Sequence, residues 1–181
     1  MNMEQEVKRQ MEILKRGVEE IISERELEDK IKKSLETGKP LVVKLGIDPT
    51  GSDLHIGHAV PLRKLRQFQD LGHRVKFLIG TFTARIGDPT GKSETRKMLS
   101  AEDIQKNIET YLEQVKLILD LEKTEVVYNG DWLEKLSLED VLKLLSQFTV
   151  AQMVQREDFS KRLSEGKPVS CLLYTSPSPR D

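Results

Sequence analysis

Apolar positions recur at helical intervals through residues 1–40 and change pattern at Leu41. Val7, Met11, Leu14, Val18 and Ile21-Ile22 mark one side of a first helix. Ser23 with Glu26 forms a capping box for a second, which ends near Gly38-Lys39-Pro40. From Leu41 the pattern becomes alternating strand and helix. Leu41-Val42-Val43-Lys44-Leu45 reads as a buried parallel strand, and a helix follows from about Ile56 to Leu71 with Gly72 as its stop. A second strand covers Val75–Ile79. Ser100 and Asp103 cap the next helix, whose stripe is Ile104, Ile108, Tyr111-Leu112, Val115 and Ile118-Leu119. Val126–Tyr128 is a short strand. Ser137 starts a helix with Leu138, Val141, Leu142 and Leu145 facing inward, and residues 148–162 are helical again. Strand, helix, strand implies a right-handed crossover and a parallel pair. The fold class is therefore α/β, the N-terminal part of a doubly wound, Rossmann-like parallel sheet preceded by a short helical segment. Its site is expected outside the carboxyl ends of the strands.

With 181 residues the chain suits one domain, and its net charge of -1 gives no global basic field. No apolar run approaches the ~20 residues of a membrane span. The first residues, Met-Asn-Met-Glu-Gln-Glu, lack a secretory pattern. The single cysteine, Cys171, leaves no internal disulfide framework and no cysteine metal cluster. The expectation is a cytoplasmic protein.

The chemistry concentrates between Gly46 and His58, in the string Gly-Ile-Asp-Pro-Thr-Gly-Ser-Asp-Leu-His-Ile-Gly-His. A loop from a strand end into a helix N-terminus is where α/β folds bind phosphate, because free amides and the helix dipole both favour an anion. The loop gathers Asp48, Thr50, His55, Gly57 and His58 there. A metal pair at His55 and His58 would need a third ligand, and no cysteine or further histidine cluster supplies one. No protein-bound metal is expected.

This string resembles the His-Ile-Gly-His signature of class I aminoacyl-tRNA synthetases, and in its longer form that of the tyrosyl branch, bacterial type. A second match is separate from the first: Phe77-Leu78-Ile79-Gly80, Thr83, then Ile86-Gly87-Asp88-Pro89-Thr90-Gly91-Lys92 with Arg96 close behind. Between them, Arg63-Lys64-Leu65-Arg66-Gln67-Phe68-Gln69-Asp70-Leu71-Gly72-His73 fits one bacterial branch, as does Lys44. The resemblance implies a tyrosine–tRNA ligase. Such an enzyme makes tyrosyl-adenylate from tyrosine and ATP, with Mg2+ accompanying the ATP, and passes tyrosine to the 3' end of tRNA(Tyr). It implies that Thr50 and His55 bind the terminal phosphate and that His58 contacts the nucleotide. Gly46 and Gly57 offer bare backbone to adenosine, and Asp48 lies in the shared crevice. Thr83 and Asp88 hold the ammonium of tyrosine, while Lys92 and Arg96 close over pyrophosphate. A homodimer is implied too, with an interface around Leu136–Phe159. Asp88-Pro89-Thr90-Gly91 is also a turn by composition, and both readings can hold. His73 takes no catalytic role, and Trp132 of Asn-Gly-Asp-Trp is expected to pack.

From Cys171 the sequence departs from the family, running Cys-Leu-Leu-Tyr-Thr-Ser-Pro-Ser-Pro-Arg-Asp. The domain reading is a helical segment over 1–40, an incomplete catalytic domain over 41–170 and a disordered, artefactual tail over 171–181. The Tyr-x-x-x-Gln segment, the Lys-Met-Ser-Lys-Ser-type loop and the anticodon-binding domain do not occur in it. The expectation is a truncated chain that is inactive alone. The alternatives are a tryptophanyl-type relative, disfavoured by the Ile-Asp-Pro-Thr string, and a non-catalytic nucleotide-binding or dimerisation module.

Overall fold

A computed structural model describes residues 2–86, 100–167 and 169. Helix α1 spans Met3–Lys15 and α2 spans Glu24–Thr37. Asn2 and Gln5 close a full capping box on α1, and Ser23 accepts the Glu26 amide at the start of α2. The first helix is shorter than its apolar pattern predicts. Arg16 turns extended, Gly17 adopts a φ of 70°, and Val18 and Ile21-Ile22 fall outside the helix, with Ile22 89% exposed. A left-handed glycine ends a helix whatever apolar residues follow. Gly38, φ 64°, ends α2 in the same way.

Strands β1 (Val42–Ile47), β2 (Arg74–Ile79) and β3 (Thr124–Tyr128) form a sheet in that order. Leu41 accepts from the Arg74 amide and Ile47 from the Gly80 amide, at 2.9 Å each. Both bonds keep the same register, so β1 and β2 run parallel. As the central strand, β2 buries Val75, Phe77 and Ile79. β1 lies at the edge, with Val42 and Lys44 exposed, which corrects the expectation of a buried strand. An apolar run records side-chain type and not position in the sheet. Helix α3 (Ile56–Asp70) makes the crossover from β1 to β2. The short α4 (Thr83–Ile86) and α5 (Ala101–Val115) follow β2, and Ser100 caps α5 as expected. After β3 come α6 (Gly130–Leu133), α7 (Leu138–Leu145), α8 (Val150–Val154) and α9 (Glu157–Ser164). A Thr149–Gln152 capping box restarts the chain at α8, so residues 148–162 form two helices in place of one. Leu138 and Leu142, expected to face inward, are 75% and 58% exposed.

The chain divides into two compact units. The first comprises residues 1–45, 51–78 and 109–127, and the second 46–50, 79–108 and 128–181. In the first, Val7, Met11 and Leu14 of α1 pack with Ile31 and Phe68. A buried polar chain joins the same elements. Gln10 donates to Glu6 at 2.9 Å, and its Oε1 lies 3.1 Å from His73 Nε2. His73 Nδ1 in turn lies 3.3 Å from the Leu41 amide. The Leu41 N–H makes Nδ1 the acceptor, so the ring proton sits on Nε2 and His73 is neutral. Burial lowers its pKa from the usual value. His73 stands just past the end of α3, buried at 7% exposure as a polar link of the fold.

Candidate active-site loops

In the second unit the two loops that leave β1 and β2 meet. The Gly80 amide donates to Ile47, and this sets Asp48 against the start of α4. Thr83 Oγ1 donates to Asp48 Oδ1 at 2.6 Å and accepts from Asn129 Nδ2 at 2.9 Å. Asn129 Oδ1 accepts the Phe82 amide at 2.8 Å, and Thr81 Oγ1 accepts the Gly130 amide at 3.0 Å. Thr83 and Asn129 are buried, at 6% and 3% exposure. The hydroxyl of Thr83 has one proton, and Asp48 holds it. The carboxylate of Asp48 is thereby fixed at the carboxyl end of the sheet.

The approach depends on Gly80. A Cβ there would lie 1.9 Å from Asp48 Oδ1 and 2.4 Å from Thr83 Oγ1. Asn107 Nδ2 holds Pro49 O at 2.9 Å, supporting the stretch that carries Gly46, Asp48 and Thr50. The sequence assigns no role to Gly80, Asn107 or Asn129, although Gly80 stands in the second matching string. Asn129 opens the Asn-Gly-Asp-Trp string that ends at Trp132. That tryptophan is 44% exposed, so it is not the packing residue expected.

In the first unit, His55 is the N-cap of α3. Its Nδ1 accepts the Gly57 amide at 3.1 Å, and His58 Nδ1 accepts the His55 amide at 3.2 Å. The two rings lie 3.9 Å apart between centroids. An acceptor at Nδ1 leaves Nε2–H as the donor of each ring. The amides of Gly57 and His58 are therefore engaged: His55 takes Gly57 N, and the His58 amide donates to His55 O. A Cβ on Gly57 would meet the His55 ring at 2.9 Å, so the imidazole is what lies against this bare backbone. Gln114 fastens the preceding turn, accepting the Leu54 amide at 2.9 Å and donating to Ser52 O at 3.2 Å. Asp88, Lys92 and Arg96 lie outside the described residues.

The family model for class I tRNA synthetases (W and Y) matches residues 36–176. This chain belongs to that family. It is 61% identical over 165 residues to a tyrosine–tRNA ligase of Carboxydothermus hydrogenoformans, covering 91% of this chain and 40% of the relative. A tyrosine–tRNA ligase of Geobacter metallireducens is 59% identical over 164 residues, with coverages of 91% and 41%. Among solved structures, a C-terminally truncated mitochondrial tyrosyl-tRNA synthetase of Coccidioides posadasii superposes with a TM-score of 0.69. The two are 26% identical, and the match covers 95% of this chain and 52% of the other. The chain thus spans about 40% of the length of the curated relatives it matches. The α/β reading with a parallel sheet holds.

Proposed function

We propose that the protein carrying this chain is a tyrosine–tRNA ligase. The observation that carries the reading is the Asp48–Thr83–Asn129 network at the carboxyl ends of parallel strands, within a chain 51–61% identical to relatives of that name. In the first step the tyrosine carboxylate attacks the α-phosphorus of ATP. The bond to the β-phosphate breaks, and pyrophosphate leaves with its Mg2+. In the second, a hydroxyl of the terminal ribose of tRNA(Tyr) attacks the acyl carbon, and AMP departs. The protein's part is positioning and charge stabilisation.

In this reading Asp48 faces the substrates, with Thr83 holding its carboxylate. Thr83 with Asp88 receives the tyrosine ammonium. Nε2–H of His55, with Thr50, donates to the terminal phosphate as charge grows there, and His58 contacts the nucleotide. Gly46 and Gly57 lie along the adenosine. At Gly57 this requires the His55 ring to turn away and release the Gly57 amide. Lys92 and Arg96 neutralise the leaving pyrophosphate. The half-exposed and exposed apolar residues Leu138, Leu142, Phe148 and Val150 suit burial against a second copy. Among the described residues no helix is long and apolar enough to cross a membrane. We place the enzyme in the cytoplasm, where its tRNA is.

The test is exchange of labelled pyrophosphate into ATP by the whole protein, with each amino acid in turn. Exchange dependent on tyrosine supports the reading. Exchange driven by tryptophan moves the protein to the other branch of the family, and binding of ATP with no exchange leaves the nucleotide-binding module.

A further inference from the structure

Gln114, in the last turn of α5, makes three hydrogen bonds within the first unit. Its Oε1 accepts the Leu54 amide at 2.9 Å, and its Nε2 donates to Ser52 O at 3.2 Å and to Thr110 O at 3.1 Å. One amide donor facing Oε1 and two carbonyls facing Nε2 fit the side chain in a single orientation. The bonds to the loop hold two consecutive peptide groups from 60 residues away, Ser52–Asp53 by its carbonyl and Asp53–Leu54 by its N–H. The next peptide group, Leu54–His55, is held by His58 Nδ1, which accepts the His55 amide at 3.2 Å. The chain therefore enters His55, the N-cap of α3, through three peptide groups fixed in succession.

We infer that Gln114 is a positioning residue for adenylate formation, acting through His55; the inference rests on the tyrosine–tRNA ligase reading above. In that reading the His55 ring leaves Gly57 and gives Nε2–H to the terminal phosphate. A side chain turns only about its own χ angles, so where Nε2 arrives depends on where the backbone holds the His55 Cα. Gln114 holds two of the three peptide groups that set that point. Displacing a group that contacts the reacting phosphates by about 1 Å can cost on the order of 100-fold in rate. The contact strengthens as charge grows on the phosphate, so its loss falls on kcat and spares the KM for ATP. An amide that only holds the fold together has no such signature. Gln69 of α3 supplies the comparison. Its Oε1 accepts the Asp120 amide at 2.9 Å, and its Nε2 donates to Asp120 O and Thr124 Oγ1 at 2.9 Å each. It makes as many bonds as Gln114 and is more deeply buried, at 7% exposure, but these partners lie outside the loop.

The experiment measures tyrosine-dependent pyrophosphate exchange by the whole protein. Gln114→Met keeps the side-chain length and removes all three bonds. Gln114→Glu keeps an acceptor for Leu54 N and loses the donors. Gln69→Met is the structural control, and circular dichroism checks the fold of each. Gln114→Met is expected to lower kcat roughly 10–100-fold, with the KM for ATP and tyrosine within about threefold of the original. Gln114→Glu should lose less. Gln69→Met should lower the melting temperature and leave kcat within about twofold. In a His55→Ala background, Gln114→Met should cost less than about twofold more, because the group it positions is gone. Hydrogen exchange at the Gly57 amide, which His55 Nδ1 accepts in the free protein, should speed up in Gln114→Met and not in Gln69→Met. Three results overturn the proposal: an unchanged kcat in Gln114→Met, an equal loss of kcat in Gln69→Met, or effects of Gln114→Met and His55→Ala that simply multiply. An unaltered protein with no tyrosine-dependent exchange ends the reading of function instead. The Gly57 amide still decides the positioning in that case, and unchanged exchange there in Gln114→Met overturns it.

Discussion

Replacing Gly80 by alanine tests the loop geometry most directly. The added Cβ would sit 1.9 Å from Asp48 Oδ1, 2.4 Å from Thr83 Oγ1 and 3.1 Å from Asp48 Cγ. To restore ordinary contact the carboxylate oxygen has to retreat by more than about 1 Å, which breaks a hydrogen bond that is 2.6 Å long. A bond to a charged group is worth roughly 1.5–3 kcal/mol, and overpacking of a tight site adds about 1–3 kcal/mol. The sum is about 2.5–6 kcal/mol, a large share of the roughly 5–15 kcal/mol that holds a domain folded. At about 2–4 °C per kcal/mol, the melting temperature should fall by roughly 5–24 °C. Differential scanning calorimetry reads this, and pyrophosphate exchange should collapse with it. The cause is isolated by a double-mutant cycle. With Asp48→Ala present the clash with Oδ1 is gone, so the further cost of Gly80→Ala should shrink by at least about 1 kcal/mol. A Gly80→Ala protein that melts within a degree of the original and keeps its exchange activity would refute the reasoning. So would costs that simply add.

Three further outcomes follow from the same contacts. His73 is buried neutral with a lowered pKa, so below about pH 6.5 the unfolded chain binds a proton that the folded chain refuses, and stability falls as pH drops. Urea midpoints across that window should decline, and His73→Gln should flatten the curve there. The separate loss from Glu6, held down to about 2 mainly by Arg9 and Gln10, should remain below its usual 4.5. Asn129→Asp replaces a donor to Thr83 with a second carboxylate, although Thr83 has one proton and Asp48 uses it. The expected cost is about 1–3 kcal/mol, with a rise in the KM for tyrosine larger than the fall in kcat, and an unchanged KM speaks against the network. Gln114→Ala frees Leu54 N and Ser52 O. Hydrogen exchange at the Leu54 amide should speed up at least tenfold, and unchanged protection would show that the turn stands without it.

Much of this was legible in the sequence because its signals are local. Ser23, Ser100 and Ser137 cap helices through bonds to the amide three residues on, and Gly38 stops one by its own positive φ, so they could be read in place. The loop from Gly46 to His58 also stood out, since strand, glycine and histidine follow one another along the chain. What escaped depends on residues distant in sequence. Val42 and Lys44 lie exposed on one face of β1, which among the described residues pairs with β2 alone, and neither strand order nor what covers a face is written in a strand's own residues. Gly80 gave no local sign, because what crowds it is Asp48, brought there by parallel pairing 32 residues on. Asn129 carries no local sign either, because its partners are Phe82 and Thr83, to which the end of β3 brings it. Leu138 and Leu142 have the spacing of a buried face, but spacing does not say which surface covers it. Burial of a carboxylate, an imidazole or an amide is decided by what packs around it, and only the tertiary structure supplies those neighbours.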